Sequence, residues 1–95
     1  MATKTITLGP TGPDPRQQAC NPGDEIIWTN STGKAVTGLT LPTCVSPQIS
    51  PAPIAIGKVT RKYIVNRDAK GEYSYSYVYP DTAMGTKNGT IDVGS

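Results

Sequence analysis

Two cysteines and one methionine carry the most distinctive chemistry in this chain, because sulfur atoms form disulfides and bind soft metal ions. Cys20 and Cys44 are 24 residues apart, which matches no metal-binding spacing such as CxxC. The plainest prediction is a disulfide in a small exported domain, and a pair of reduced core thiols or a soft-metal site stays open. With Met84, the two thiols would form a ligand set that favours Cu(I).

Catalysis is poorly supported by the residue types present. The chain contains no histidine, so general acid-base work would fall to Asp, Glu, Lys or Tyr. The acidic residues lie almost all in predicted turns or exposed strand positions, and no two of them form a recognisable catalytic pair. GxSxG, phosphate-binding and calcium-loop motifs are absent from the sequence. We predict a non-enzyme that needs no cofactor.

Length and composition predict one soluble domain over residues 1–95. No apolar run approaches the roughly 18 residues that a membrane-spanning helix needs, so membrane insertion is not expected. The net charge of +2 is spread along the chain, and such a surface does not favour nucleic-acid binding. Ten glycines and nine prolines suit short strands joined by tight turns.

Alternation of apolar and polar residues identifies the elements that must position these side chains. Trp28 is predicted to be a core ring, and Tyr73, Tyr75 and Tyr77 occur at spacing two on one face of a strand. About seven short strands between turns predict an all-β, Greek-key, two-sheet β-sandwich. The predicted strands cover residues 5–8, 17–20, 25–29, 35–41, 58–65, 71–78 and 90–93.

Three further expectations concern the connections. Prolines and glycines in residues 9–15 are expected to prevent regular strand pairing there. Residues 42–53 are expected to hold one helical turn or to form an irregular connection across a sandwich edge. Residues 58–65 are expected to pair with the tyrosine strand as a β-hairpin.

Three segments together resemble the cupredoxins, the family that includes plastocyanin and azurin. A Pro-Gly-Asp turn leads into an aromatic-containing strand that ends in Asn, the tyrosine strand is similar to the strand that ends at the copper-binding cysteine, and the last segment is similar to the family's final strand. These segments are NPGDEIIWTN at 21–30, GEYSYSY at 71–77 and GTIDV at 89–93. The resemblance implies a cupredoxin-like sandwich.

At the positions that correspond to the ligands of a type 1 copper site, this chain has residues that cannot bind copper in the same way. That site needs two imidazoles and a thiolate, usually with a weak thioether. Carried over by the resemblance, the imidazole and thiolate positions fall on Val36 or Thr37, Tyr77, and Tyr79 or Pro80. Only Met84 could correspond to a family ligand, the axial one. The resemblance therefore implies the fold without the type 1 site, and no metal ligand is predicted.

The loop end of the sandwich is nevertheless a candidate contact surface, because cupredoxins dock partners there. Val36, Tyr79, Pro80 and Met84 are the predicted binding residues, since exposed Tyr, Pro and Met suit an adaptable patch. Tyr77 is predicted to be core. For Tyr79 and Met84, a contact role and a role in filling the former copper cavity stay equally open.

We therefore predict a non-catalytic binding or structural module that contacts a protein or polymer partner through this loop end or through an exposed sheet edge. The alternative is a Cu(I)-handling protein that uses Cys20, Cys44 and Met84. A domain cut from a larger secreted or surface protein is a third hypothesis. A periplasmic or extracellular location of a mature or excised chain is expected from the predicted disulfide. The sequence specifies no oligomeric state.

Overall fold

The computed structural model describes residues 2–51, 53–79 and 86–94. Their regular structure is entirely β, with nine strands in the described part of the chain. The strands are β1 (Thr3–Gly9), β2 (Gly12–Asp14), β3 (Gln17–Cys20), β4 (Glu25–Asn30), β5 (Gly38–Thr40), β6 (Val45–Ser46), β7 (Tyr63–Val65), β8 (Gly71–Val78) and β9 (Lys87–Val93). None of the described residues belongs to a helix that could cross a bilayer.

Two sheets, each with both parallel and antiparallel strand pairs, form the sandwich. The first has the order β2-β1-β4-β7-β6 and the second the order β3-β9-β8-β5. Strands β1 and β4 run parallel, as do β3 and β9, while the other pairs are antiparallel. This arrangement confirms the predicted all-β, two-sheet Greek-key sandwich, with two short edge strands, β2 and β6, beyond the seven expected.

Aromatic side chains form the centre of the core, as strand alternation predicts. Trp28 on β4, Tyr63 on β7 and Tyr75 on β8 are almost completely buried. The indole packs edge-on against both phenol rings, with centroid distances of 5.6 Å to Tyr63 and 5.5 Å to Tyr75. Such edge-to-face contacts stabilise an aromatic cluster beyond its burial alone. Tyr73, on the same face of β8, is only half-buried at the strand's start.

Within residues 9–15, residues 12–14 do form a regularly paired strand, contrary to the expectation from the prolines of this segment. Strand β2 pairs antiparallel with β1, and Pro13 lies opposite Leu8. The arrangement is possible because β2 is an edge strand of its sheet, where a proline without an N–H can face away from its neighbour. Pro13 is buried, so it serves the core as well as the turn.

The predicted hairpin between residues 58–65 and the tyrosine strand is wrong. Strand β7 pairs with β4 and β6, whereas β8 pairs with β9 and β5 in the other sheet. The connection 66–70 therefore crosses between the sheets. The physical reason is that Tyr63 on β7 and Tyr75 on β8 both pack edge-on against Trp28 in the core, which is formed between the inner faces of the two sheets.

The register of β8 and β9 defines two ends of the sandwich. Tyr77 pairs with Lys87 at one end, and Gly71 pairs with Val93 at the other. Strand β3 runs parallel to β9, so Cys20 lies beside Val93. With about 3.3 Å of rise per residue, the six steps from Lys87 to Val93 separate the two ends by roughly 20 Å.

Candidate functional site

The Tyr77–Lys87 end of the sandwich is closed by two tyrosines. The Tyr77 hydroxyl donates to the carbonyl oxygen of Gly9 at 2.6 Å, and the Tyr79 hydroxyl donates to that of Pro10 at 2.8 Å. The two rings stack with centroids 6.5 Å apart and planes 21° apart. Both phenols therefore bind the turn between β1 and β2, and these hydrogen bonds link the β8 end of the second sheet to the first sheet.

The structure describes two of the four predicted binding residues, Val36 and Tyr79. Val36 is completely buried, and its backbone pairs with Ile54 through N–H···O bonds of 2.9 and 2.8 Å. Tyr79 is 9% exposed. Pro80 and Met84 lie outside the described residues. A contact role for these four residues stays a prediction, in which Val36 and Tyr79 would shape the surface from below rather than touch a partner.

The donor set at this end does not fit a type 1 copper ion. The chain has no histidine, and the position equivalent to the copper thiolate carries the Tyr77 phenol. Burial raises the pKa of Tyr77 to about 12, aided by the neighbouring Tyr79. The phenol therefore keeps its proton and donates a hydrogen bond to the carbonyl oxygen of Gly9, so it offers no anionic ligand.

Two polar side-chain atoms in the core, one on β4 and one on β8, have no hydrogen-bond partner among the described residues. Trp28 Nε1 and Tyr75 Oη are buried, and neither makes a hydrogen bond of acceptable geometry to the described residues. Burial raises the pKa of Tyr75, and the nearby indole N–H only partly offsets this. The Tyr75 hydroxyl is therefore neutral and serves packing rather than acid-base chemistry.

The cysteines lie at the opposite end and are free thiols in the structure, so the predicted disulfide is not supported. Cys20 lies beside Val93, and the Cys44 carbonyl accepts a hydrogen bond from the N–H of Asn66, which leads into β8. Burial raises the pKa of both thiols, that of Cys44 to about 11. Spacing alone indicated a bridge, but each cysteine is buried and packed as a small hydrophobic residue.

The alternative Cu(I) site stays a prediction, because Met84 lies outside the described residues. Neither Cys20 nor Cys44 lies at the Tyr77–Lys87 end of the sandwich. Nor do the described residues hold a cluster of three or more His, Cys, Asp or Glu side chains suited to a metal ion.

A groove along one side of the sandwich was not identified from the sequence. It has a volume of about 340 Å³ and lies between residues 49–51 and 53–55 on one side and residues 58–61 on the other, with Tyr63 at its base. The Tyr63 hydroxyl donates to the carbonyl oxygen of Ile49 at 2.7 Å and anchors the outer wall. The segment 42–53 was expected to be irregular or to hold a helical turn, but Val45–Ser46 form strand β6 and pair with β7. Its described residues 49–51 and 53 border the cleft.

Most of the exposed large apolar side chains in the described residues surround this groove. Ile49 and Val59 line it and are 58% and 60% exposed. Ile56, 60% exposed, lies in the turn that joins the two walls. Isolated aliphatic residues in a stretch rich in proline and small residues were the available signal, but without alternation they gave no indication of which side chains face solvent.

The groove carries positive charge. Lys58 and Arg61 are its charged lining residues, and no Asp or Glu lines it among the described residues. Neither cation forms an ion pair within the described part of the chain; the nearby Lys62 instead pairs with Glu25 at 3.8 Å. The groove therefore combines exposed aliphatic surface with uncompensated positive charge.

Comparison with known proteins identifies the fold. No protein-family model and no curated protein sequence matches the chain. Among solved structures, an oxidised mutant of amicyanin superposes with a TM-score of 0.70 at 11% identity, covering 96% of this chain and 81% of that one. A purple cupredoxin from Nitrosopumilus maritimus gives 0.65 at 14%, covering 95% and 98%. Pseudoazurin from Methylobacterium extorquens AM1 gives 0.55 at 22%, covering 98% and 76%. The protein therefore has a cupredoxin-like fold that lacks the type 1 copper ligands.

Proposed function

We propose that this protein is a non-catalytic binding module whose main contact surface is the groove beside residues 58–61. The observation that carries the proposal is the clustering of Ile49, Ile56 and Val59, three of the four large apolar side chains that are exposed among the described residues. An exposed apolar patch rimmed by polar groups is typical of a protein interaction site. The fourth, Ile64, is 38% exposed on β7.

The groove supports a binding role better than the tyrosine end does. There the Tyr77 and Tyr79 hydroxyls are both used in hydrogen bonds to the β1–β2 turn. Of the two surfaces that the sequence suggested, the sheet edge is the one where described apolar side chains reach solvent. The groove also offers shape, since a cleft buries more of a bound side chain than a flat face does.

The partner we propose is a protein. A net charge of +2 without a dense basic surface argues against a nucleic acid. A periplasmic or extracellular location stays a proposal. The predicted disulfide no longer supports it, because both cysteines are free thiols in the structure. The absence of an enzymatic activity is likewise proposed, from a chain without histidine and a groove lined by Lys58 and Arg61 as its only charged groups in the described residues.

A random library of twelve-residue peptides displayed on phage, selected on the immobilised protein, tests the proposal. We expect enriched peptides to bind the wild type and to lose at least about tenfold in affinity for a double variant, Ile56→Ser with Val59→Ser. Both side chains are exposed, so folding should change by less than about 0.5 kcal/mol. Ile64→Ser is the matched control, because it removes exposed apolar surface outside the groove.

Two outcomes would contradict the proposal. One is a set of peptides that bind the double variant as well as the wild type, which would place the contact surface elsewhere. The other is equal loss in Ile64→Ser, which would indicate non-specific hydrophobic binding rather than a site at the groove.

A further inference from the structure

The wall of the groove that residues 58–61 form is an open sheet edge. Strand β6 pairs with β7 only at Val45 with Val65 and Ser46 with Ile64. Pro47 follows directly, and because proline has no N–H it cannot continue a ladder. The residues that precede β7 therefore have no β6 partner on their outer side, and the groove occupies the place where such a partner would run.

The backbone of Val59 points into this open side. The N–H of Asn30 donates to the Lys58 carbonyl oxygen at 2.9 Å, and the N–H of Thr60 donates to that of Trp28 at 2.9 Å. Val59 forms an antiparallel bridge with Thr29 between these two bonds. In an antiparallel ladder the residue between two such bonds directs its own N–H and C=O to the opposite side.

The Val59 backbone groups have no hydrogen-bond partner among the described residues. One donor and one acceptor thus face the groove at the spacing that an additional strand requires. A side-chain ligand would use only one of them, whereas an extended peptide uses both, as when a strand is added to an exposed sheet edge.

Side chains beside this edge specify what the added strand should carry. Val59 and Arg61 are two residues apart, and both are exposed, so they lie on the outer face of the edge. An apolar residue opposite Val59 and an acidic residue two positions along, opposite Arg61, would form favourable cross-strand pairs. Lys58 adds positive charge at the start of the groove.

We propose that the groove binds an extended segment of a partner protein, with an apolar residue and an acidic residue two positions apart on one face, that adds as a strand to the edge at Val59. This inference rests on the proposed function and names its binding mode and the chemistry of its partner. The partner segment replaces, next to residues 59–61, the strand that β6 ceases to supply at Pro47. Ile49, Pro51 and Pro53 line the groove on the other side, where they would contact the apolar side chains of the segment.

The test uses a fluorescein-labelled peptide with capped ends and the sequence Val-Thr-Glu-Thr-Val-Thr-Glu, in which Val and Glu lie two positions apart on one face of a strand. Its binding is followed by fluorescence polarisation and by two-dimensional amide NMR of the isotope-labelled protein. We expect saturable binding with shifts at Val59 and Arg61, and slower hydrogen exchange of the Val59 amide in the complex. The peptide with lysine in place of glutamate should bind at least about tenfold more weakly at low salt, and added salt should reduce the difference.

Backbone pairing is tested separately from side-chain contact. Val59→Pro removes the free N–H at a position where no internal bond is lost, and Val59→Ala keeps the N–H while shortening the side chain. We expect the proline variant to bind at least about tenfold more weakly than the alanine variant. A peptide methylated at alternate backbone nitrogens tests the same bonds without altering the protein, so it decides the matter even if Val59→Pro folds poorly.

Several results would overturn the inference. These are equal binding of the methylated and parent peptides, equal binding of the lysine peptide, or shifts confined to the Tyr77–Lys87 end. If library peptides depend on Ile56 and Val59 yet tolerate backbone methylation, the groove is a binding site but not a strand-addition site. If no peptide depends on the groove, the proposed function itself fails.

Discussion

Gly89 lies directly opposite Tyr75 in the β8–β9 ladder, and the phenol ring covers the position that a Cβ atom at Gly89 would occupy. A methyl group there would overlap the Cζ and Oη atoms of Tyr75 and come within 2.8 Å of Pro13 Cγ. Because Gly89 has no side chain, β9 leaves the space that the Tyr75 ring occupies in the core.

Gly89→Ala should destabilise the protein by about 2 kcal/mol or more, because Tyr75 must leave its position and overpacking of a core usually costs about 1–3 kcal/mol. Urea unfolding followed by Trp28 fluorescence measures the change. Gly38→Ala is the matched control, since its added methyl would meet only a Val78 methyl at 3.1 Å. Equal, small effects of both variants would show that Tyr75 does not pack over Gly89.

Tyr77→Ala should cost about 3 kcal/mol or more, because the ring is 1% exposed and its removal leaves a large cavity. Tyr77→Phe should cost about 1 kcal/mol for the lost hydrogen bond to Gly9. The control is Tyr75→Phe, whose hydroxyl makes no hydrogen bond in the described structure and should be dispensable. Denaturant unfolding curves for the three variants test this order, and a loss under about 1 kcal/mol for Tyr77→Ala would contradict burial of the ring.

Alkaline titration should show that buried tyrosines ionise late. Burial raises the pKa of Tyr77 to about 12 and also raises that of Tyr75. In the unfolded chain a tyrosine ionises near a pKa of roughly 10. The burial of the neutral rings therefore stabilises the fold below pH 10, and this stability falls as pH rises toward 12. Tyrosinate absorbance should rise in the native protein with a delayed phase that disappears in denaturant; a single phase near pH 10 would argue against these sites.

Asp24 should stabilise the turn before β4 through its charge. Its carboxylate accepts hydrogen bonds from the backbone N–H of Ala2 at 3.0 Å and of Asn21 at 2.9 Å, and these bonds lower its pKa. The stabilisation is therefore present above the unfolded pKa of about 3.9 and is lost as pH falls through the lower native value.

We expect Asp24→Asn to cost about 1–3 kcal/mol at pH 7, and the difference from the wild type to shrink as the pH approaches the lowered native pKa. Thermal unfolding at a series of pH values measures both. Asp68→Asn, an exposed carboxylate in the connection 66–70, is the control. A difference that stays constant down to pH 2 would show that the charge of Asp24 is not responsible.

The thiols should be intact and unreactive in the folded protein. Burial raises the pKa of Cys20 and raises that of Cys44 to about 11, so little thiolate exists near pH 8. The intact mass should not change on reduction, and iodoacetamide should label the native protein far more slowly than the denatured protein. An increase in mass on reduction would establish a disulfide and restore the original prediction.

Local patterns predicted the strands better than their partners. Spacing two along β8 places Tyr75 and Tyr77 inward, and the Pro22-Gly23 turn precedes β4 as expected. Pairing depends on contacts between distant parts of the chain, so nothing within residues 58–78 indicated that β7 and β8 belong to different sheets. The same limit applied to β2, where a proline is tolerated only because no strand lies beyond it.

The candidate site, like the fold, was predictable from the sequence only in part. Residue types alone excluded a type 1 copper site, because imidazole and thiolate ligands are a matter of composition at matched positions. The groove could not be read from composition, since it depends on where Pro47 ends β6 and on the direction of the Val59 backbone groups.

The sequence by itself determined the class of fold, the core rings of Trp28 and Tyr77, and the loss of the copper ligands, because alternation and side-chain chemistry are local properties. Only the tertiary structure decided that Cys20 and Cys44 lie away from the loop end, that Val36 is buried, and that an open edge carries the exposed aliphatic residues. Those features depend on register and on sheet order, which are set by the packing of the whole chain.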